Sequence, residues 1–522
     1  MEKRKGITER FSEDCAGGRV WLVGAGPSDP GLFTLKGKQV LETADVVVYD
    51  ALAGQEILSM IPENAKKIYV GKRSSHHTMP QEQISRLLVR EAKEGRRVVR
   101  LKGGDPFLFG RGGEEAEELI RHGIPFEVVP GVTSAISVPA YQGIPVTHRD
   151  LCSSVHIITG HKRAGAAYDI DFEALVRTGG TLVFLMGVTA LGDICRGLLA
   201  AGMDPEMPAA LLIRGTTAHQ RRIVASVSTL EEEVNRQGAQ TPAIIVVGRV
   251  CALAEEFSWY GKMPLGGVKV LLTRPKELIR ETAVKLRMLG AEVLEFPAIR
   301  TRKRQGKVRL YEALENIRAY GWLAFTSPAG VRIFFEEMQS VKMDVRSLGQ
   351  IKIAVIGRGS ARELEKYGLY ADLMPEIYDG AHLGAALAQA VQPGERILIP
   401  RASGGSRELI QELSGHEVDD IPTYDTVFEE ASGAEWIGEL KNGGIDYVMF
   451  TSSSTVRGFV QAAGDMDFSV VRAICIGEQT RQTAKSFGMR TWMSEEAGTD
   501  SLIRCLMEVH QREEELCLSG SL

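Results

Sequence analysis

A repeat in the C-terminal half restricts the fold more than any other feature of this chain. Leu323-Ala324-Phe325-Thr326-Ser327-Pro328, then Gly330-Val331-Arg332, is matched by Val448-Met449-Phe450-Thr451-Ser452-Ser453, then Thr455-Val456-Arg457. Downstream, Ile353-Ala354-Val355-Ile356-Gly357 with Ser360-Ala361 pairs with Ala473-Ile474-Cys475-Ile476-Gly477 with Thr480-Arg481. Each copy is a short apolar run ending in a hydroxyl or glycine turn that opens a helix, so the repeat predicts two similar α/β lobes. From Val268–Leu272, with Thr273-Arg274-Pro275 opening a helix, to about residue 510 the pattern stays βαβα, which calls for one or two parallel sheets. The hydroxyl turns read in two ways that stay open: helix N-caps, or donors toward an anionic ligand between the lobes.

The N-terminal half is built on the same strand–turn–helix logic. Its organising stretch is RVVRLKGGDPFLFGRGGEE, residues 97–115. Arg97–Leu101 is a strand, and Gly103-Gly104 leaves two successive positions without a Cβ, where a ligand can approach bare backbone. Asp105 is read as an acceptor at the tip of this turn, and Phe107-Leu108-Phe109 as an apolar wall. Arg111-Gly112-Gly113-Glu114-Glu115 opens a helix with acid in its first turn. Upstream, Arg19–Gly24 leads into Gly24-Ala25-Gly26-Pro27-Ser28-Asp29-Pro30, which is not a dinucleotide fingerprint. The third glycine is replaced by Asp29, which would repel a pyrophosphate. Asp29-Pro30 is expected to cap one helix running to about Thr43.

Asp50 follows the strand Asp45–Tyr49 at the sheet rim where α/β proteins bind ligands, and reads as a helix cap or as a base facing the cleft. Lys72 and Arg73 follow Ile68–Val70, and Pro130-Gly131-Val132-Thr133-Ser134 opens another helix with backbone donors exposed. His148 and Arg149 arrive on a loop, after which wider-spaced strands mark a second lobe. The expected organisation is a tail over 1–18, a two-lobed domain over 19–260 (lobes about 19–150 and 152–258), and a second two-lobed domain over 266–512. In the latter, 266–298 with 425–512 forms one lobe and 302–420 the other.

Composition excludes several classes. At 522 residues the chain exceeds a single core, and 44% apolar with 25% charged residues is globular usage. A net charge of −5 without a long basic run argues against nucleic acid. The seven cysteines are scattered without a CxxC pair, which fits idle thiols in a reducing cytoplasm and no metal site. No apolar run reaches membrane-spanning length, and residues 1–18 lack the apolar core of a secretory signal.

Three N-terminal strings, VGAGPSDPGLFTLK, RLKGGDPFLFGRGGEE and VVPGVTSAISVPAYQGIPVTHR, resemble the uroporphyrinogen-III C-methyltransferases of the tetrapyrrole methylase family. Ser28 departs from that family's usual glycine. The resemblance implies a homodimer that binds S-adenosylmethionine between the lobes. It implies cofactor contacts at Pro27, Gly103, Gly104, Asp105, Leu108, Thr133, Ser134, Met186 and Gly215. Asp50 is implied as proton acceptor and Lys72 as proton donor, with Arg111, Glu114 and Arg149 near a macrocycle bearing eight carboxylates, and Arg111 is the alternative catalytic base to Asp50. The implied product is precorrin-2, at the branch toward sirohaem and cobalamin. Residues 266–512 resemble uroporphyrinogen-III synthase through LLTRP, FTSPAGV, AVIG, FTSSSTVRGF and IGEQTRQTAKSFG. That implies closure of hydroxymethylbilane, assisted by Tyr424, with Ser360, Ser452, Ser453 and Thr480 binding carboxylates. Two alternatives stay open: a methylase of a later corrin intermediate, and a C-terminal half that binds tetrapyrrole without catalysis.

Overall fold

The computed structural model describes residues 18–71, 79–160, 170–429 and 435–519. It holds four five-stranded sheets in two compact units, Met1–Lys269 with Arg287–Leu294, and Val270–Leu286 with Glu295–Leu522.

The first sheet contains β1 (Arg19–Gly24), β2 (Val46–Tyr49), β3 (Lys66–Tyr69), β4 (Arg97–Lys102) and β5 (Phe126–Val129), in the order β3-β2-β4-β1-β5. All its pairings are parallel. Alternation sorts its residues between two covered faces. Val20, Leu22, Val46, Val48 and Val98 pack with Leu87, Leu88 and Leu119 from the helices Gln81–Lys93 and Gly112–Arg121. Val23, Val47, Val99 and Leu101 pack on the opposite face with Leu41 and Ile57. The connection leaving β1 therefore goes to one face and that leaving β4, its neighbour, to the other. This divergence opens a crevice at the strand C-termini.

The expected single helix after Asp29 is in fact two pieces. Asp29 caps only the short turn Pro30–Leu32, and Thr34 caps a separate helix, Leu35–Leu41, by accepting from the Gly37 N–H at 3.0 Å. Phe33 and Thr34 adopt extended backbone between the two caps, which ends the first turn.

The second sheet contains β6 (Val155–Thr159), β7 (Thr181–Leu185), β8 (Pro208–Ile213), β9 (Arg221–Ser226) and β10 (Ala243–Val247), ordered β6-β7-β10-β8-β9. Only β6 and β7 are parallel; β10 runs antiparallel to both β7 and β8. One face of this sheet (Val183, Leu185, Ala210, Leu212, Val246) is covered by Ala135 and Val138 of the helix Ser134–Tyr141, which follows the first sheet. This apolar helix joins the two lobes. Its C-terminal end is tied down by Tyr141 Oη donating to Asp29 at 2.6 Å and by Gln220 and Trp259 donating to its carbonyls.

The strands β11 (Lys269–Leu272), β12 (Glu292–Glu295), β18 (Tyr447–Phe450), β19 (Arg472–Cys475) and β20 (Arg490–Met493) form a third sheet ordered β12-β11-β18-β19-β20. The chain between them makes the other sheet from β13 (Ile299–Lys303), β14 (Tyr320–Phe325), β15 (Lys352–Val355), β16 (Arg396–Ala402) and β17 (Glu417–Phe428), ordered β13-β17-β16-β14-β15. β17 carries this sheet on to Phe428 and pairs antiparallel with β13. The strands of this sheet thus run from Ile299 to Phe428, where a lobe of about 302–420 was expected.

The sequence repeat is a structural one. Phe325 aligns with Val355 across β14–β15 as Phe450 does with Cys475 across β18–β19. The Ile356 and Ile476 N–H groups donate to the Phe325 and Phe450 carbonyls at 2.9 and 3.0 Å.

Candidate functional site

Three loops leave the C-terminal ends of β1, β4 and β5 and meet backbone to backbone. Gly26 and Gly104 exchange hydrogen bonds at 3.1 and 2.8 Å, and the Ala25 N–H donates to Lys102 at 2.7 Å. A Cβ on Gly131 would stand 2.2 Å from the Gly104 carbonyl oxygen and 2.7 Å from the Gly24 Cα; one on Gly103 would stand 2.4 Å from the Leu52 Cβ. Gly103 is therefore a packing glycine, and its lack of a side chain serves the protein's own backbone. Gly104 differs: its φ is +66° and the nearest atom to an added Cβ is the Ser134 N, 4.0 Å away. Asp105 is not a free acceptor either. Its Oδ1 accepts from the Phe107 and Leu108 N–H groups at 2.8 and 3.0 Å, and its Oδ2 from the Gly131 N–H at 3.0 Å. The carboxylate bolts the β4 loop to the β5 loop and leaves the Gly104 Cα facing open space.

Backbone strain is concentrated around this junction. Among the described residues seven non-glycine positions have positive φ, and six of them are Ser28, Phe109, Arg111, Met186, Arg214 and Thr216. They sit on loops after β1, β4, β7 and β8, all at strand C-termini. Such conformations cost on the order of 1–3 kcal/mol each and persist where surrounding contacts over-determine them. The expected cofactor residues lie on the same loops: Pro27 precedes Ser28, Leu108 precedes Phe109, Met186 is itself strained, and Gly215 lies between Arg214 and Thr216. The Thr216 hydroxyl donates to the Pro27 carbonyl at 2.5 Å, joining the loops of the two lobes. A Cβ on Gly215 would lie 2.3 Å from Val138 Cγ1, so this glycine lets the β8 loop settle on the helix Ser134–Tyr141. Thr133 caps that helix through the Ala135 N–H at 3.2 Å, and Leu108 packs against its apolar side. Met186 stays half exposed.

Asp50 caps no helix; Gly54 holds that position for Gln55–Leu58. Its Oδ1 accepts from the Leu52 N–H and its Oδ2 from Arg100 Nη2, both at 3.1 Å. Behind it lie three ionisable groups not expected at the site: Arg100 (3% exposed), Lys102 (4%) and Glu115 (0%). Glu115 Oε1 accepts from Arg100 Nε at 3.1 Å, Lys102 Nζ at 3.0 Å and Gln81 Nε2 at 2.9 Å. Burial, with the Arg100 cation beside it, pushes the Lys102 ammonium below its usual range. Alternation along Val98-Val99-Arg100-Leu101-Lys102 was the available signal: in a parallel sheet covered on both faces, mid-strand charges must be buried and paired.

Arg111 and Glu114 are exposed and form a two-pronged pair at 2.7 and 2.6 Å, which holds the Glu114 carboxyl below its ordinary range. Arg149 is exposed and has no partner among the described residues. Lys72 lies outside the described residues.

In the second unit, Tyr424 lies on β17, buried, with its hydroxyl 2.6 Å from Ser327 Oγ. Burial pushes the phenol up from its usual value. Ser327 caps the helix Pro328–Ser340 and Ser452 caps Ser453–Ala463 in the same extended geometry, so Ser452 is first of all a helix cap, with Thr455 completing a capping box. The Ser453 hydroxyl donates to the Gln479 carbonyl at 3.1 Å and receives the Thr483 hydroxyl at 2.9 Å. Ser360 and Thr480 are buried, at 1% and 5% exposed, and Ser360 Oγ has no hydrogen-bond partner. Each lies four residues before another buried position, Leu364 or Ala484, on the inward stripe of its helix. The turns at Gly357 and Gly477 still open helices whose first N–H groups have no intrahelical partner.

Comparison with known proteins accounts for both halves. The family model for tetrapyrrole (corrin/porphyrin) methylases matches residues 19–231, and that for uroporphyrinogen-III synthase HemD matches residues 280–504. The porphyrin biosynthesis protein HemD of Ruminiclostridium josui is 46% identical over 494 residues, covering 94% of this chain and 98% of that protein. The uroporphyrinogen-III C-methyltransferase of Bacillus subtilis is 39% identical over 401 residues, 77% of this chain and 78% of that one. A solved uroporphyrin-III C-methyl transferase from Thermus thermophilus, complexed with S-adenyl homocysteine, is 43% identical over 45% of this chain and 99% of its own, with a TM-score of 0.39. The chain therefore belongs to the tetrapyrrole methylases through its N-terminal half and to the uroporphyrinogen-III synthases through its C-terminal half.

Proposed function

We propose that the N-terminal half methylates uroporphyrinogen III twice, giving precorrin-2, and that the C-terminal half closes hydroxymethylbilane to uroporphyrinogen III. The observation that carries the first assignment is six strained residues on four loops at strand C-termini, together with Gly104, which stays open where its neighbours Gly24, Gly103 and Gly131 are closed by packing. That corner suits S-adenosylmethionine. Bare backbone at Gly104 and the Ser134 N–H that opens the helix Ser134–Tyr141, 4.0 Å from where a Gly104 Cβ would stand, suit its amino-acid moiety. Leu108, Met186 and the backbone beside Pro27 and Gly215 offer the apolar surface an adenosine needs. When bound, it supplies an electrophilic methyl group on a sulfonium.

The chain's residues then have three tasks. Asp105 holds the β4 and β5 loops in register and Thr133 caps the helix that follows, which fixes orientation and supplies most of the acceleration available to a methyl transfer. Arg111 and Arg149, exposed at the rim, pair with carboxylates of the macrocycle. A pyrrole carbon takes the methyl as its bond to sulfur breaks, and Asp50 accepts the proton that the cationic macrocycle then loses from another position to become neutral. Lys72 is proposed as the proton donor.

Arg111→Ala is expected to weaken macrocycle binding about tenfold and adenosylhomocysteine binding less than twofold, since a charge-assisted contact is worth about 1.5–3 kcal/mol. Separate titrations read the two affinities. Equal losses would place Arg111 in the cofactor's own site.

For the C-terminal half, Tyr424 would assist departure of the hydroxyl from hydroxymethylbilane. The phenol, kept protonated by burial and seated against the Ser327 cap, is poised to donate. The first-turn N–H groups after Ser327, Gly357, Ser452 and Gly477 would receive carboxylates. Supplying hydroxymethylbilane to the full chain without S-adenosylmethionine tests this assignment. Type III isomer is the expected product, and type I alone would mean a half that binds tetrapyrrole without closing it.

A further inference from the structure

The buried charges behind Asp50 are more than packing requires. Asp50, Arg100 and Lys102 have the same strand parity and so share the face of the first sheet beneath the helices Gln81–Lys93 and Gly112–Arg121. Apolar side chains fill that face elsewhere, and burying ions there costs solvation that a well-packed apolar replacement would avoid. Arg100 is fixed from three sides: Nε donates to Glu115, Nη1 to the Leu101 carbonyl at 2.9 Å, and Nη2 to Asp50. Glu115 places all three of its contacts on Oε1, and its Oε2 is buried without a hydrogen-bond partner. Of the four charged groups only Asp50 reaches the surface, its side chain 24% exposed against 5% or less for the others. The arrangement is a chain of charge from a closed end at Glu115 to an open end at Asp50.

We propose that Glu115 and Lys102 are positioning residues that, through Arg100, fix the orientation and proton affinity of Asp50 for its step in methylation. This rests on the reading of Asp50 as proton acceptor. Among the described residues the groups facing it are Arg100 and Lys102 from β4, with Glu115 and Gln81 behind them on their helices and the Leu52 N–H on its own loop. Two cations are balanced by two anions. Neutralising Glu115 leaves Asp50 as sole counter-charge to both cations, so it holds a proton less tightly. Removing the Lys102 charge has the opposite effect.

The test is the pH dependence of methyl transfer by the full chain, with uroporphyrinogen III and S-adenosylmethionine both saturating. Glu115→Gln should move the acid limb down by about one pH unit and Lys102→Met should move it up by about one. Adenosylhomocysteine affinity should stay within about threefold of the unsubstituted chain in both, a change under one RT·ln 10 of binding free energy. A role in packing alone would lower rate or stability at every pH and leave the limb in place, and that result overturns the proposal. If Lys102→Met does not fold, the sign of the Glu115→Gln shift decides, with Glu115→Asp expected to restore the limb. Asp50→Asn separates the underlying reading. An unchanged limb in that variant defeats Asp50 as the titrating group, whereas a lost limb with Glu115→Gln and Lys102→Met unmoved defeats only the inference drawn here.

Discussion

Asp50→Ala is expected to slow methylation by about 10²–10⁴-fold, the usual contribution of a positioned proton acceptor, while adenosylhomocysteine still binds within about threefold of the unsubstituted affinity. The separation follows from the geometry. Asp50 is held by Arg100 and by the Leu52 N–H, at the end of β2. The proposed cofactor contacts lie on the loops after β1, β4, β5, β7 and β8, and none of the bonds that shape those loops runs through Asp50. Single-turnover methylation and equilibrium titration of the same preparation read the two effects. Loss of cofactor binding together with rate would remove Asp50 from the proton-accepting role.

The second large effect distinguishes two glycines of one junction. Gly131→Ala drives a methyl into the Gly104 carbonyl and the Gly24 Cα, both backbone, so no side chain can rotate away. It is expected to destabilise the N-terminal half by about 3 kcal/mol, the upper range for overpacking, and to lower that half's thermal transition. Gly104→Ala meets nothing nearer than 4.0 Å. Its fold cost is only that of an alanine at positive φ, about 1 kcal/mol. Its methyl occupies the space proposed for the cofactor, so adenosylhomocysteine binding should fall by about two orders of magnitude or more, equivalent to about 3 kcal/mol. Differential scanning calorimetry with titration separates the cases. Similar behaviour of the two variants would mean that Gly104 is another packing glycine.

Much of this was legible in the residues, for reasons that can be named. The repeat predicted two like lobes because strand, cap and helix recur at the same spacing, and the two capping serines take the same extended geometry, with φ of −165° at Ser327 and −168° at Ser452. The ring of loops was legible because glycine and proline mark turns at strand ends. What escaped was whatever depends on which face a neighbour covers. Arg100 and Lys102 looked like ordinary strand charges until helices were found on both faces of the sheet. Asp105 looked like a ligand acceptor, but backbone N–H groups had already engaged it. Ser360 and Thr480 were read by residue type alone, although their i, i+4 spacing to Leu364 and Ala484 marks them as inward-facing.

The account depends most on the identity of the open corner, and a crystal structure of the full chain with adenosylhomocysteine tests it directly. The ligand should lie against the Gly104 backbone and the first turn at Thr133–Ser134, within reach of Met186 and the loop around Gly215. Density for it anywhere else, with that corner filled only by water, would contradict the assignment.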